Sequence, residues 1–277
     1  MRIYSVSNNN NYNVTFGVNL QSKKLRFDKE DFFVRIKGYG HDSEWAEKIC
    51  ETADTAVDYI REKCNFEETL KKITVGVREA NQHSEDEEKR DHTGILRIER
   101  EGWQHNSNWG DDLITTYSSS PQNRYRSYAS RLDYTVKHPL YNPYEIELTR
   151  PNHDVDFGKF MRHGSGKYIH IAFFYINRIF NKLYDNYILH EVKKENLDKV
   201  NSDVAEIRWI LAHVTPWERG SDAISNTFIR SIYKAMGIKL TKLKKGVSLD
   251  LEAYCTNLED YKNKFAKYFS KKPKIIN

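Results

Sequence analysis

Residues 202–237 most constrain the fold, because two helical patterns flank a short polar turn there. Ser202 or Asp203 is a suitable N-cap for the first helix, in which apolar residues recur at helical spacing. Pro216 disfavours helical geometry at the residue before it, so this helix is predicted to end near Val214. The pattern therefore predicts a helical hairpin in the C-terminal half of the chain.

The second helix of the hairpin begins at Ser221 or Asp222 and ends at Gly237, where a left-handed backbone can stop it. Free backbone N–H groups at a helix N-terminus bind anions such as phosphate, so the turn is the candidate ligand site. An ordinary packing hairpin explains the same pattern, and Asp222 would compete with an anion for the helix dipole. The candidate site residues are His213, Thr215, Trp217, Glu218, Arg219, Gly220 and Ser221.

Hydrophobic periodicity along the whole chain predicts a mainly α protein of the α+β class. Its regions are a flexible N-terminal segment (1–30), an N-terminal helical region (31–90), a β-containing segment (91–150) and a helical domain around the hairpin (151–277). Outside the hairpin, the predicted elements are helices at 42–64, 66–80, 168–189 and 249–269, strands at 32–37, 95–99, 113–117, 132–136 and 144–148, a surface loop at 82–92 and a loose tail at 271–277.

Composition limits the classes of protein to consider. Hydrophobic residues make up 39% and charged residues 30%, which is typical of a soluble globular protein. The net charge of +5 is too small to establish a nucleic-acid partner, which is possible but not favoured, although lysines cluster at 239–245 and 262–274. No apolar stretch is long enough to span a bilayer. Three cysteines without a CxxC pair favour a reducing compartment.

The first residues lack the apolar core of a cleavable signal peptide and are rich in Ser and Asn. This composition is similar to that of bacterial effectors that are exported unfolded into host cells. We therefore expect a protein secreted into the host-cell cytoplasm, with a host protein as its target; the alternative is a cytoplasmic protein.

A short glycine loop before the predicted helix at 168–189 carries Arg162, His163 and Lys167. Backbone N–H groups in such a loop can bind a phosphate while the cations neutralise its charge. The loop lacks the spacing of a Walker motif, so a flexible connection is the alternative. These three residues are the predicted second wall of the ligand site, provided that the fold brings them near the hairpin.

The hairpin turn resembles the active-site hairpin of the Fic/Doc (fido) superfamily. Pro216, Trp217, Gly220 and Ser221 stand where that family has Pro, Phe, Gly and Asn. The resemblance covers residues 156–269, and it implies a helical core that transfers a nucleotide or phosphate to a hydroxyl group of a target protein. Relatives among the avirulence proteins of plant pathogens share this fold with altered chemistry.

The turn departs from the Fic/Doc pattern at the positions that carry its chemistry. Thr215 stands where the family has its catalytic His, and Arg219 where it has an acidic metal ligand. Ala223 and Asn226 stand where it has phosphate-binding arginines. The resemblance therefore implies a reaction that requires no metal, with His213 as the candidate general base.

In this scheme Arg219 and the amides of Gly220 and Ser221 stabilise a diphosphate leaving group, and Trp217 is a stacking or packing anchor. A nucleotide or nucleotide sugar is the expected co-substrate. The resulting prediction is an effector-like transferase that modifies a host protein from a diphosphate-containing donor.

Two alternatives stay open at this point. Arg208 and His213 are separated by four residues, which resembles the RxxxxH motif of HEPN-type ribonucleases and would imply RNA cleavage without a metal. The second alternative is a non-enzymatic module that docks on a host protein or nucleic acid, in which the motifs above have only a structural role. The sequence does not determine the oligomeric state.

Overall fold

The computed structural model describes residues 27–35, 42–62, 65–97 and 169–276, together with four two-residue strands between positions 106 and 162. The helices are α1 (Ser43–Arg61), α2 (Phe66–Ala80), α3 (Glu87–His92), α4 (Ile169–Leu183), α5 (Leu197–Val214), α6 (Ser221–Ala235), α7 (Leu249–Cys255) and α8 (Leu258–Lys264). The antiparallel strand pairs are β1 (Asn106–Ser107) with β4 (Met161–Arg162), β2 (Thr135–Val136) with β3 (Leu148–Thr149), and β5 (Ile238–Lys239) with β6 (Lys274–Ile275). The predicted class, mainly α within α+β, is confirmed.

Helix α5 lies at the centre of the helical core, in contact with α4, α6, α7 and α8. Residues 204–214 are all buried, so the polar side chains of this helix need partners inside the protein. The hydroxyl of Tyr233 donates to Oδ1 of Asn201 at 2.7 Å, and Nζ of Lys262 lies 3.2 Å from Oε2 of Glu206. The core is therefore built around a helix whose polar groups are paired with neighbouring elements.

Helix α1 packs against both α2 and α6 through an apolar face that is buried along its length. At Gly76 of α2 the two helices are in close contact, because an added Cβ atom would lie 2.3 Å from Oγ1 of Thr52 in α1. A residue with a side chain at this position would therefore have to displace Thr52.

Several predicted boundaries are confirmed. Helix α2 spans the predicted residues 66–80, α5 ends at Val214, and α6 begins at Ser221. Gly237 follows α6 with a left-handed φ of 72°. The hairpin of two helices joined by a short turn is therefore present.

The predicted start of the first hairpin helix is wrong. Helix α5 begins at Leu197 because a 3-10 turn, Lys194–Asn196, leads directly into it. Ser202 and Asp203 consequently lie inside the helix and are not N-caps.

The predicted loop at 82–92 is wrong in its second half, where α3 forms. The side chain of Asp86 caps this helix by accepting a hydrogen bond from the backbone N–H of Lys89 at 3.2 Å. The predicted strand at 32–37 is also wrong over residues 32–35, which follow a 3-10 turn.

The predicted helix at 249–269 is interrupted at Thr256, whose backbone is extended. Asn257 then caps α8, because its side chain accepts a hydrogen bond from the backbone N–H of Asp260 at 2.9 Å. The tail is not loose, since β6 pairs with β5. The helix predicted at 168–189 is present as α4 followed by a π-helical turn, Tyr184–Ile188.

Other predictions fall wholly or partly outside the described residues. These include the segment before residue 27, the strand at 113–117 and the glycine loop after Arg162. The strands predicted at 132–136 and 144–148 overlap β2 and β3. None of the described helices has the length and apolar character that crossing a membrane requires.

Candidate functional site

The turn between α5 and α6 is fixed by a second segment of the chain, residues 92–97. Four backbone hydrogen bonds join this segment to residues 216–219, with N···O distances of 2.8–3.2 Å. These bonds run in both directions, so they use N–H groups of the turn as well as carbonyl groups. The turn is therefore a paired, largely buried structure, and not an open loop.

Arg97, the last residue of this segment, binds the C-terminal end of α5. Its side chain is buried, and it donates from Nε to the carbonyl oxygen of Thr215 and from Nη2 to that of Val214, both at 2.6 Å. Thr215 has a left-handed φ of 43°, and its hydroxyl donates to the carbonyl oxygen of Ala212 at 2.8 Å. Thr215 thus completes the helix end with both its backbone and its side chain.

His213 is buried at the last turn of α5, with 2% of its surface exposed. Its ring stacks on that of Trp209 at a centroid distance of 3.8 Å. Nδ1 lies 2.9 Å from the carbonyl oxygen of Trp209, and because a carbonyl only accepts, Nδ1 carries the proton. His213 is therefore anchored to its own helix through Nδ1.

Glu218 lies on the other side of the turn and is also buried. Its Oε2 is 2.5 Å from Nδ1 of His92, the last residue of α3. The His92 side chain is 36% exposed, so the more accessible histidine at the turn is one that the sequence analysis did not select. His92 and Glu218 are 126 residues apart, and no local pattern indicates their contact.

Arg219, Gly220 and Ser221 are half-buried at the start of α6. Gly220 has a φ of 84°, and an added Cβ atom would lie 3.0 Å from Cγ2 of Thr93. Oγ of Ser221 donates to the carbonyl oxygen of Trp217 at 3.1 Å and accepts from its N–H at 3.2 Å. Ser221 therefore closes the turn onto the helix.

Arg208 forms a buried cluster with two carboxylates behind the turn. Its guanidinium is fully buried, lies 2.6 Å from Oδ1 of Asp250 and also pairs with Asp222. Burial and the nearby Asp250 raise the pKa of Asp222 to about 7. Arg208 is thus committed to two internal partners, which disfavours the ribonuclease alternative because that reading needs Arg208 and His213 at an RNA phosphate.

A cavity of about 1280 Å³ lies beside the turn, along α1, α2 and the start of α4. Its wall near the turn includes Leu96, His170, Phe173 and Trp217. The Trp217 ring is buried and lies 6.3 Å from that of Phe173, which makes this end of the cavity apolar. Of the predicted site residues that the structure describes, Trp217 is the one on the cavity wall.

The predicted second wall of the site stays a prediction. Arg162 lies in β4 opposite Asn106, but its side chain and the residues His163 and Lys167 are outside the described part of the chain. Within the described ranges, no three His, Cys, Asp or Glu side chains are grouped as ligands for a metal ion.

Comparison with known proteins identifies the family. The family model AvrB_AvrC, described as avirulence protein, matches residues 126–272, which is more than half of the 277-residue chain and includes the hairpin. No individual curated protein matches. The chain belongs to the AvrB_AvrC family of avirulence proteins.

Proposed function

We propose that this protein is an effector transferase that modifies a host protein from a nucleotide or nucleotide-sugar donor. Membership of an avirulence family supports an effector that is delivered into host cells and acts there on a host protein. The observation that carries the transferase proposal is the cavity of about 1280 Å³ with Trp217 of the hairpin turn on its wall.

The cavity is large enough for a donor of this class, and its end near the turn is apolar. Ligand pockets usually enclose about 300–1,000 Å³, so the space beside the turn is large enough for a nucleotide sugar. Phe173 and Trp217 supply an apolar surface for a base or sugar ring. The rest of the wall is of mixed charge, with Lys48, Lys71 and Lys72 beside Glu51, Glu67, Glu68 and Glu79, so a diphosphate would have to be bound by individual lysines and not by a net positive wall. His170 is exposed on the same wall and can donate a hydrogen bond.

In this proposal, residues of the turn carry out the reaction and the cavity binds the donor. His213 and His92 are the two candidates for the general base, since each ring is held through Nδ1. The base accepts the proton of the acceptor hydroxyl as that oxygen attacks the donor, and the diphosphate leaves with the bonding electrons. Arg219, at the start of α6, is the candidate cation for the leaving group.

Isothermal titration of the full chain with nucleoside diphosphates and nucleotide sugars tests the proposal. We expect one class to bind, and we expect His170→Ala to weaken its binding by roughly three- to tenfold through loss of one hydrogen bond. His190→Ala is the matched control, because His190 is also exposed but does not line the cavity.

Two results would overturn the proposal. Absence of binding by every diphosphate compound would leave the non-enzymatic interaction module as the better account of this effector. Equal affinity of the His170→Ala variant and the parent chain would place the donor elsewhere.

A further inference from the structure

The two lysine clusters of the sequence meet in one irregular antiparallel ribbon. Residues 237–244 run beside residues 268–276, with Lys239 opposite Lys274 in the β5–β6 pair. Leu243 forms a bridge with Phe269 further along, and backbone hydrogen bonds of 2.8–2.9 Å flank both positions. We call residues 237–247 and 261–276 the basic ribbon.

The charged side chains of the basic ribbon all have the same sign. It contains ten lysines and no aspartate, glutamate or arginine. Lys242 pairs with Glu30 at 3.3 Å, and Lys262 pairs with Glu206 at 3.2 Å. The other eight are exposed and form no ion pair with any residue in the described ranges; they are Lys239, Lys244, Lys245, Lys264, Lys267, Lys271, Lys272 and Lys274.

Two of these lysines lie directly opposite each other in the β5–β6 pair. Directly opposed residues of an antiparallel pair point to the same face, so Lys239 and Lys274 project together. Their neighbour Ile238 is buried, which fixes the lysines on the outer face. Like charges in this position repel and destabilise the pair, whereas an anionic partner would relieve the repulsion.

We propose that the basic ribbon binds the surface of an anionic membrane. Lysine is a flexible point charge without the planar fork by which arginine reads a single phosphate or base, so it suits a diffuse layer of negative headgroups. The aromatic residues of the ribbon, Tyr261, Phe265, Tyr268 and Phe269, are all buried. The ribbon therefore lacks the exposed rings on which single-stranded nucleic acids stack.

This surface is independent of the cavity proposed for the donor, since none of the ribbon residues lines that cavity. Binding at the ribbon would hold the effector against a membrane without insertion of any described helix. Membrane binding and donor binding can therefore succeed or fail separately.

Sedimentation of the full chain with lipid vesicles tests the proposal. We expect binding to phosphatidylcholine vesicles that contain phosphatidylserine, no binding to phosphatidylcholine alone, and a marked loss of binding at high salt. The triple variant Lys239→Gln, Lys271→Gln, Lys274→Gln should lower the partition coefficient by about tenfold or more. A matched control is Lys89→Gln, Lys193→Gln, Lys194→Gln, which removes three exposed lysines elsewhere and should leave binding unchanged.

Thermal midpoints of both variants close to that of the parent would show that each is folded. The proposal is overturned if the serine-containing vesicles fail to sediment the parent chain, or if both triple variants bind equally well. It is also overturned if the parent shifts RNA or DNA in an electrophoretic assay and the ribbon variant abolishes that shift while vesicle binding is absent.

Discussion

Nδ1 of His92 lies 2.5 Å from Oε2 of Glu218, and this contact joins the end of α3 to the hairpin turn. The carboxylate is buried while the imidazole is partly exposed, so Glu218 fixes the ring through Nδ1 at the edge of the turn. The turn is consequently held from both sides, by this pair and by Arg97 at the end of α5.

We predict that Glu218→Gln lowers the free energy of unfolding by about 1.5–3 kcal/mol, because a buried hydrogen bond to a charged group is lost. Urea denaturation measures the change. Glu85→Gln, at an exposed position, is the control and should have almost no effect. A double-mutant cycle with His92→Ala should show a coupling energy between the two positions, and a coupling of zero would contradict the paired arrangement.

We predict that Arg208→Met destabilises the protein by about 3–5 kcal/mol, because it leaves Asp222 and Asp250 without their cation. Arg178→Met removes an exposed arginine and should change the midpoint little. If Arg208→Met does not fold, adding Asp222→Asn and Asp250→Asn should restore folding. Failure of that triple variant, judged by circular dichroism, would show that the cluster is not the cause.

We predict that Asp222 makes stability depend on pH. Its pKa in the folded protein, about 7, lies above the ordinary value of 3.8, so the folded state holds a proton that the unfolded chain releases. The free energy of unfolding should therefore fall as the pH rises from about 4 to about 7, by at most about 4 kcal/mol.

Asp222→Asn cannot ionise, so urea denaturation at about pH 5 and about pH 7.5 should show a smaller difference for this variant than for the parent. Asp58→Asn is the matched control at an exposed helical position and should keep the parent's pH dependence. A parent protein whose stability rises over this interval would contradict the raised pKa.

We predict that Gly220→Ala is more destabilising than Gly246→Ala. Both glycines have a left-handed φ, 84° and 78°, so both variants carry a backbone cost of about 1–2 kcal/mol. A Cβ atom at position 220 would also press on Thr93, 3.0 Å away, whereas position 246 has nothing within 4 Å. Equal urea midpoints for the two variants would show that the contact with Thr93 adds no cost to the substitution at position 220.

The sequence predicted those elements whose signals are local. Helix α2 has Asn65 as its N-cap and a regular apolar face, and both are visible in the sequence. The start of α5 was missed because Asn196 makes no side-chain cap and only Leu197 and Val200 are apolar among residues 197–203. The tail was missed because its strand pairs with residues more than thirty positions earlier.

The candidate site likewise combines local features, which the sequence indicates, with long-range contacts, which it does not. Pro216 and Gly220 indicate the turn, and the structure places it between α5 and α6. Its cover by residues 92–97 and the pairing of Arg208 with Asp250 arise from contacts between distant parts of the chain. Patterns of spacing cannot identify such partners, since each contact depends on how the helices pack.

The absence of a side chain at position 76 also affects the shape of the cavity beside the turn. Gly76 lies on the wall of the cavity as well as against Thr52, so the contact of α1 with α2 and the shape of the cavity both depend on this residue. A valine at position 76 would press on Thr52 and project at the cavity wall, so it would change the shape of the cavity without any change to the residues of the hairpin.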